Sequence, residues 1–313
     1  CAPILGTAVM RKTTLALLLA VWGVTLSSPA AAGLKVFACE PEWAALARDV
    51  GGDKVDAYSA THARQDPHHI RAKPSLIARI RRADLVFCSG ADLEVGWLPL
   101  LLQRGARAGV QPGTTGHLMA AEQVPVLEKP AVVDRSLGDV HPGGNPHVHL
   151  NPDNILTIAA ELGKRMMALD PENAAHYRNR TASFDKSWRA AIDRWKHRAA
   201  KLSGMPVIVH HKSFSYLFDW MGLKEVATLE VKPGIPPTVS HLNGLLRTAK
   251  SVNVKAILRA PYDPSDGADW LSAKTGIPQV ELPYTVERNA PAGALINLFD
   301  RTITLLEGAH AGS

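Results

Sequence analysis

The sequence predicts an α/β protein of two lobes, each a parallel sheet flanked by helices, with one long linking helix between them. Three observations carry that reading. Short apolar runs of strand length alternate with amphipathic stretches over residues 33–169. A charged, continuously helical stretch then occupies residues 170–203. The strand–helix alternation restarts over residues 204–313.

The elements are read in chain order from residue 33, because residues 1–32 have another character. Met10-Arg11-Lys12 is a basic start, Leu15 to Val24 is apolar, and Ala30-Ala31-Ala32 is a small-residue cleavage site. That order is a secretory signal peptide, expected to be cut after Ala32, with residues 1–9 as upstream translated sequence. A membrane anchor is the alternative, but the apolar run is shorter than the roughly 20 residues a span needs. No Cys stands at the cleavage point, so no lipid anchor is expected there. The formal charge of the chain is +6; without Arg11 and Lys12 it falls to +4. The basic residues are scattered, with no stripe interleaved with aromatics, which argues against a nucleic-acid partner.

In the first lobe, Leu34–Ala38 reads as a strand and Pro41–Val50 as a helix. Lys54–Ala60 is a second strand. Pro74 sits at a helix start, with Leu76, Ile77 and Ile80 on one face. Leu85–Phe87 is a third strand, and Gly96-Trp97 opens a helix through Leu102. Lys129–Asn145, rich in Pro, Gly and Asp, is a loop. Pro152 to Leu202 is helical, broken at Leu169–Asn173, where Asp170 is expected to cap and Pro171 to begin the next helix. From there to Lys201 the helix would be about 45 Å long at 1.5 Å per residue, with Phe184, Trp188, Ile192 and Trp195 on one side. In the second lobe Pro206–His210, Ala227–Val231, Lys255–Leu258 and Gln279–Leu282 read as strands. Ser213–Met221, Val239–Val252, Asp269–Thr275 and Ala294–Leu306 read as helices. No internal sequence repeat is visible.

Three cysteines are present, but Cys1 precedes the signal. Cys39 and Cys88 each end an apolar run that reads as a strand. In an oxidising compartment an even pair predicts a disulfide, and adjacent parallel strands would bring the two within bridging distance. Two separate buried thiols are the alternative.

The histidines carry the chemistry. Thirteen are present, and His117, His176, His197, His241 and His310 read as surface residues. Three clusters remain. Asp66-Pro67-His68-His69 follows the strand Lys54–Ala60. Asn145-Pro146-His147-Val148-His149 follows the Pro/Gly loop. His210-His211 ends the strand Pro206–His210. In open parallel sheets ligands bind beyond the carboxyl ends of strands, and imidazole is a preferred zinc ligand. No His-Glu-x-x-His occurs, so any site must be assembled from distant loops. Solvated histidines in structural x-Pro-His turns are the alternative.

At these residues the chain resembles the zinc and manganese solute-binding proteins of ABC importers. The matching motifs are Asp66-Pro67-His68 before Lys73-Pro74-Ser75, then Asn145-Pro146-His147 before Asn151-Pro152, then His211 before Phe214. The Leu169–Asn173 step into a long helix and the Ala83–Gly90 strand match as well. The resemblance spans Leu34 to Leu306. It implies a periplasmic, rigid, two-lobed, monomeric binding protein with one Zn²⁺ between the lobes. It implies His68, His147 and His211 as ligands, and His69, His149 and His210 as their neighbours. As partners it implies a membrane permease with its ATPase, and a periplasmic metallochaperone as a further candidate. One departure concerns the fourth ligand. Members with a carboxylate there place it after the last strand, where this chain has Val286, with Glu287 adjacent. Water, Glu287, and Asp263 or Asp266 stand as alternatives. The family's His-rich loop is reduced to His141 in Asp139-Val140-His141-Pro142-Gly143-Gly144, read with His69 and His149 as material for a weaker second site.

Imidazoles favour zinc, whereas manganese sites lean towards carboxylate oxygen. Two other functions are weighed: a zinc hydrolase or hydratase with a three-histidine zinc–water site, and an adhesin with a structural metal. The first needs a general acid or base beside the water, and Glu287 is the one carboxylate to nominate. The second would need a repeat or an exposed interaction stripe, and neither is seen.

Overall fold

Each strand is short and is followed by a helix, so consecutive strands can pair only in parallel through crossovers. The computed structural model describes residues 1–3, 33–131 and 141–312; the signal segment Met10–Ala32 lies outside them. Strands β1 (Leu34–Ala38), β2 (Val55–Ser59), β3 (Leu85–Cys88) and β4 (His117–Met119) form one sheet, ordered β2-β1-β3-β4. All pairings are parallel, with Leu34 opposite Val55, Val36 opposite Leu85 and Val86 opposite His117. Strands β5 (Pro206–Val209), β6 (Lys224–Thr228), β7 (Ala256–Arg259) and β8 (Gln279–Glu281) form the second sheet. Its order, β6-β5-β7-β8, repeats the first and is again parallel throughout. The topology is therefore duplicated where the sequence shows no repeat.

Helices α1 (Pro41–Gly51), α2 (Pro74–Ile80), α3 (Leu98–Gly105) and α4 (Pro152–Leu169) each carry a Pro in the first turn, where its missing N–H costs nothing. Helices α5 (Ala174–Ala199), α6 (Ser215–Met221), α7 (Val239–Ser251), α8 (Asp266–Thr275) and α9 (Ala294–Ala311) follow. One face of the first sheet is covered by α2 and α3, and one face of the second by α7 and α8. The two remaining faces share a single core with α1, α4, α5, α6 and α9.

The linking helix α5 fits this shared core because its apolar residues fall on one stripe. Tyr177, Phe184, Trp188, Ile192 and Trp195 are buried, at the three- and four-residue spacings of one helix face. Trp188 donates its indole N–H to the Pro152 carbonyl (2.8 Å), and Trp195 donates to Asp300 Oδ1 (2.7 Å). The rings of Trp195 and Phe299 lie 5.0 Å apart. One helix thus packs on α4 from the first lobe and α9 from the second. The lobes also meet away from α5. Arg48 donates to the carbonyls of Ala57, Arg288 and Ala290, and Gly293 N–H donates to Asp49 Oδ1.

Several element boundaries differ from the sequence reading. β6 ends at Thr228 rather than running Ala227–Val231, because Gly222, at φ +72°, ends α6 and lets the chain enter the sheet at once. Past Thr228 the Leu229 and Glu230 N–H groups still donate to the Val209 and His210 carbonyls (2.7 and 3.2 Å), which matters for Glu230 below. β4 is an edge strand of three residues, too short to show alternation. Asp170 does not cap the helix after it; its Oδ2 accepts from Tyr177 Oη (2.7 Å) and Asn173 Nδ2 (2.9 Å). α5 starts at Ala174, after a 3₁₀ turn, and is about 39 Å long. His117 is buried in β4, its Nδ1 3.0 Å from the Val110 carbonyl oxygen, and is not a surface residue.

Cys39 and Cys88 are bridged, with Cα atoms 4.8 Å apart, as neighbours at the carboxyl ends of β1 and β3. The bridge closes a loop of 49 residues, for which loss of unfolded-chain entropy is worth about 4 kcal/mol. Thiol labelling of the secreted protein in denaturant without reductant should therefore find no thiol at these positions. Cys39→Ala/Cys88→Ala should lose about 2–5 kcal/mol of stability in urea unfolding. An unchanged midpoint would show that the bridge does not constrain the unfolded chain.

Candidate metal centre

Two of the three histidine clusters are built by the same local device. In Asp66-Pro67-His68 the Asp66 Oδ1 accepts the His68 backbone N–H (2.9 Å). In Asn145-Pro146-His147 the Asn145 Oδ1 accepts the His147 N–H (3.0 Å). Each is a side-chain-closed turn with the intervening Pro fixing φ. The third histidine leaves β5 directly: His210 N–H still bonds to β7 at the Leu258 carbonyl, and His211 follows it off the sheet.

These three turns bring His68, His147 and His211 together. Their ligand atoms lie within 4.8 Å of one another, and the ring centroids are 5.6, 5.6 and 6.0 Å apart. In each ring Nδ1 is held by an oxygen. His68 Nδ1 meets Asp66 Oδ1 at 2.7 Å, His147 Nδ1 meets Tyr284 Oη at 2.7 Å, and His211 Nδ1 meets Glu230 Oε2 at 2.7 Å. The Nε2 side of each ring faces away from its oxygen, and His68 Nε2 meets His141 Nε2 at 3.0 Å. His147 Nε2 is fully buried with no hydrogen-bond partner, a cost of about 1–3 kcal/mol unless something binds it. A cavity of about 40 Å³ lies beside the His68 and His211 rings, lined also by Asp66, Glu230, Tyr262 and Asp263.

The electrostatics suit a cation. Burial pushes the His147 imidazole well below its ordinary pKa, and His68 and His211 push it the same way. Burial also works against charge on His211, but the Glu230 hydrogen bond and carboxylate outweigh it and raise the group. Burial alone would raise Asp66; the hydrogen bonds from His68 hold it low. Two carboxylates thus stand behind the imidazoles and offset a divalent charge.

The neighbouring histidines are placed differently. His69 is largely exposed, 3.8 Å from Asp66 Oδ2. His149 is buried with Nε2 3.0 Å from the Tyr284 carbonyl oxygen and Nδ1 3.4 Å from Glu42 Oε1. His210 is buried, with Nε2 3.8 Å from Glu230 Oε1. His141, read from sequence as part of a separate weak site, instead has its Nε2 3.0 Å from His68 Nε2. Burial, then His68 and His211, push its pKa down to about 4. Glu287 is exposed and lines a different cavity, with Arg64 and Arg301. Asp263 reaches the void but its Oδ2 accepts the Ala260 N–H (2.7 Å). Asp266 begins α8.

Sequence reasoning missed Tyr284 and Glu230. The sequence reading places Glu230 inside a strand; it lies two residues beyond the end of β6, with its N–H still bonded to the His210 carbonyl. Tyr284 lies three residues before Glu287, the carboxylate that the sequence reading nominates. The second donor group found among the described residues, Cys39, Cys88 and Glu94, has its sulfurs engaged in the disulfide.

Chelator competition should rank the variants by role. His68→Ala, His147→Ala or His211→Ala should each weaken Zn²⁺ binding by orders of magnitude. Asp66→Asn, Tyr284→Phe and Glu230→Gln should each cost about 10- to 100-fold, as groups that orient a ligand do. Metal-free melting temperatures should change little in the His variants. A larger loss for His69→Ala, His149→Ala or His210→Ala than for its neighbour would put the site elsewhere.

Comparison with known proteins identifies the family of the chain. The family model of the zinc-uptake complex component A, periplasmic (ZnuA), matches residues 36–309. The manganese ABC transporter substrate-binding lipoprotein PsaA of Streptococcus anginosus is 25% identical over 227 residues, 69% of this chain and 70% of that protein. The crystal structure of ZnuA superposes with a TM-score of 0.74 at 20% identity, covering 90% of this chain and 100% of that one. The SBP FpvC from P. aeruginosa, in complex with Ni²⁺, gives 0.73 at 22% identity, covering 90% and 97%. None of these relatives is an enzyme, and the hydrolase reading finds no support among them. With the model matched over nearly all of residues 33–313, this chain belongs to the ZnuA family of metal-binding, ABC-transporter substrate-binding proteins.

Proposed function

We propose that the protein captures one Zn²⁺ in the periplasm, between its two lobes, and delivers it to the permease of an ABC importer driven by its ATPase. The ligands are His68, His147 and His211. The observation that carries this reading is the clustering of ligand atoms of the three histidines within 4.8 Å of one another, with every Nδ1 already held by an oxygen. Carboxylate–histidine–metal relays of this kind fix the tautomer and raise ligand basicity. The reading takes the protein as a monomer, with a periplasmic metallochaperone as a source of metal.

The choice of zinc rests on donor chemistry. The relatives' names and titles carry manganese and nickel as well as zinc. Imidazole nitrogen suits zinc, whereas carboxylate oxygen suits manganese, and the carboxylates here stand behind the imidazoles. Cu²⁺ or Ni²⁺ can match zinc in vitro by the Irving–Williams order, so affinity must be read with uptake.

Calorimetry on the apo-protein should give one tight Zn²⁺ per chain, and cells lacking the gene should lose saturable Zn²⁺ uptake while keeping Mn²⁺ uptake. Two equal sites, or loss of Mn²⁺ uptake alone, would overturn the assignment. The pH dependence has a defined sign. Ligating imidazoles must be neutral, so binding should weaken as pH falls. His211, whose pKa is raised by Glu230, should take a proton before His147, whose pKa is lowered. Glu230→Gln should therefore move the acid limb of the affinity–pH curve to lower pH, even as it lowers affinity on the plateau. A limb that moves to higher pH would contradict the role given to Glu230.

A further inference from the structure

We propose that His149 and Glu42 are positioning residues for the metal site: together they grip Tyr284 and Thr285 of the second lobe, and so set where the Tyr284 hydroxyl meets His147. The proposal rests on the reading of His147 as a ligand.

The four residues close a ring across the lobes. His149 lies in the 3₁₀ turn Val148–Leu150, just after His147, and Glu42 lies in the first turn of α1. The His149 Nε2–H donates to the Tyr284 carbonyl (3.0 Å). Its Nδ1 faces Glu42 Oε1 at 3.4 Å, and neither atom has a hydrogen bond elsewhere among the described residues. The other carboxylate oxygen, Glu42 Oε2, accepts the Thr285 hydroxyl. The first lobe thus holds two successive residues of the second, one by its carbonyl and one by its side chain. Exposure is 0% for Glu42, 1% for His149 and 2% for Tyr284.

This pair stands in apolar surroundings, with the Trp43 ring 6.0 Å from that of His149. Replacing a buried carboxylate–imidazole pair with apolar residues of like size often leaves stability unchanged or raises it. Stability alone is therefore a weak reason for the pair. What it supplies is direction. With an oxygen on each side, the His149 ring has one orientation, and the Tyr284 backbone is fixed against it.

Tyr284 carries that fixing to the metal site. Its carbonyl is held by His149, and its hydroxyl bonds to His147 Nδ1 (2.7 Å). Both imidazoles pack perpendicular to the same phenol ring, with centroids at 4.9 and 5.4 Å. A shift of the Tyr284 backbone therefore moves the hydroxyl and the plane of the His147 ring with it. The other two orienting groups need no such support. Asp66 holds His68 within the first lobe, and Glu230 holds His211 within the second. Tyr284 alone among the three reaches from one lobe to a histidine of the other, so its aim depends on the registration of the lobes.

The test compares His149→Leu, His149→Gln and Glu42→Leu/His149→Leu with wild type, each with and without Tyr284→Phe. Gln keeps an N–H for the Tyr284 carbonyl, and Leu keeps only bulk. The double variant leaves no lone buried carboxylate to unfold the protein. Chelator competition should show Zn²⁺ affinity lowered by about 10- to 100-fold in His149→Leu and in the double variant, the range for groups that orient a ligand. His149→Gln should recover most of that loss. The ¹⁵N shifts of the His147 ring in the metal-free protein should move in His149→Leu and return in His149→Gln. In Tyr284→Phe, with no hydroxyl left to aim, the same changes should add almost nothing, because residues acting through one another are not additive. Equal losses with and without the hydroxyl, or a Gln variant as weak as Leu, overturn the proposal. Lower melting temperatures with unchanged affinity and unchanged His147 shifts also overturn it, and reduce the pair to a fastening between lobes. His147→Ala serves as the control: if it binds Zn²⁺ as wild type does, the ligand set itself is wrong.

Discussion

The contact on which the site depends is the bond between Nδ1 of each histidine and an oxygen behind it. An imidazole has two nitrogens, and a free ring rotates between presenting either one. Asp66, Tyr284 and Glu230 remove that freedom. The Asp66 and Glu230 carboxylates, which accept, fix a tautomer and a ring plane for His68 and His211, and the Tyr284 hydroxyl fixes the ring plane of His147, so the three rings cluster without a metal to draw them together. The entropy of ordering is met in folding rather than in binding. The consequence is visible as a buried nitrogen on His147 with no partner.

That preorganisation needs both lobes at once, and the fold supplies the registration. His68 and His147 come from the first lobe, yet His147 is oriented by Tyr284, just past β8 in the second. Tyr216 of α6 donates to the Asn145 carbonyl (2.7 Å) and accepts the Leu127 N–H (3.0 Å). Lys212 pairs with Glu128 across the same cleft (2.8 Å). Behind the site, Thr285 donates to the buried Glu42, and Arg288 to the Thr61 carbonyl. The shared core along α5 makes these contacts mutually consistent. Opening the lobes widely would break them together, which favours local ordering over a large hinge motion on metal capture.

Much of this was legible in the residues. Alternating strand and helix patterns placed six of the eight strands, because apolar runs between turn residues carry a strong signal. β4 escaped because three residues cannot display a period, and β6 was misplaced by the apolar Leu229 and Val231 beyond its end. The Asx-Pro-His turns marked His68 and His147 as candidates, since the turn and the histidine are adjacent in sequence, and the fold brings both to His211. The orienting residues were less accessible: Glu230 lies 19 positions from His211 and Tyr284 lies 137 from His147. No local pattern reports such a pairing; only the order of strands in the sheets brings them together. His141 was legible as a residue but not as a neighbour of His68, which is 73 positions away.

The central claim is that one cation is held by the Nε2 atoms of His68, His147 and His211. Anomalous diffraction at the zinc edge from crystals of the loaded protein tests it most directly. The account predicts a single strong peak about 2.0–2.1 Å from all three Nε2 atoms, with each Nδ1 still bonded to its oxygen. A peak bound through any Nδ1, or one centred away from these three rings, would contradict it.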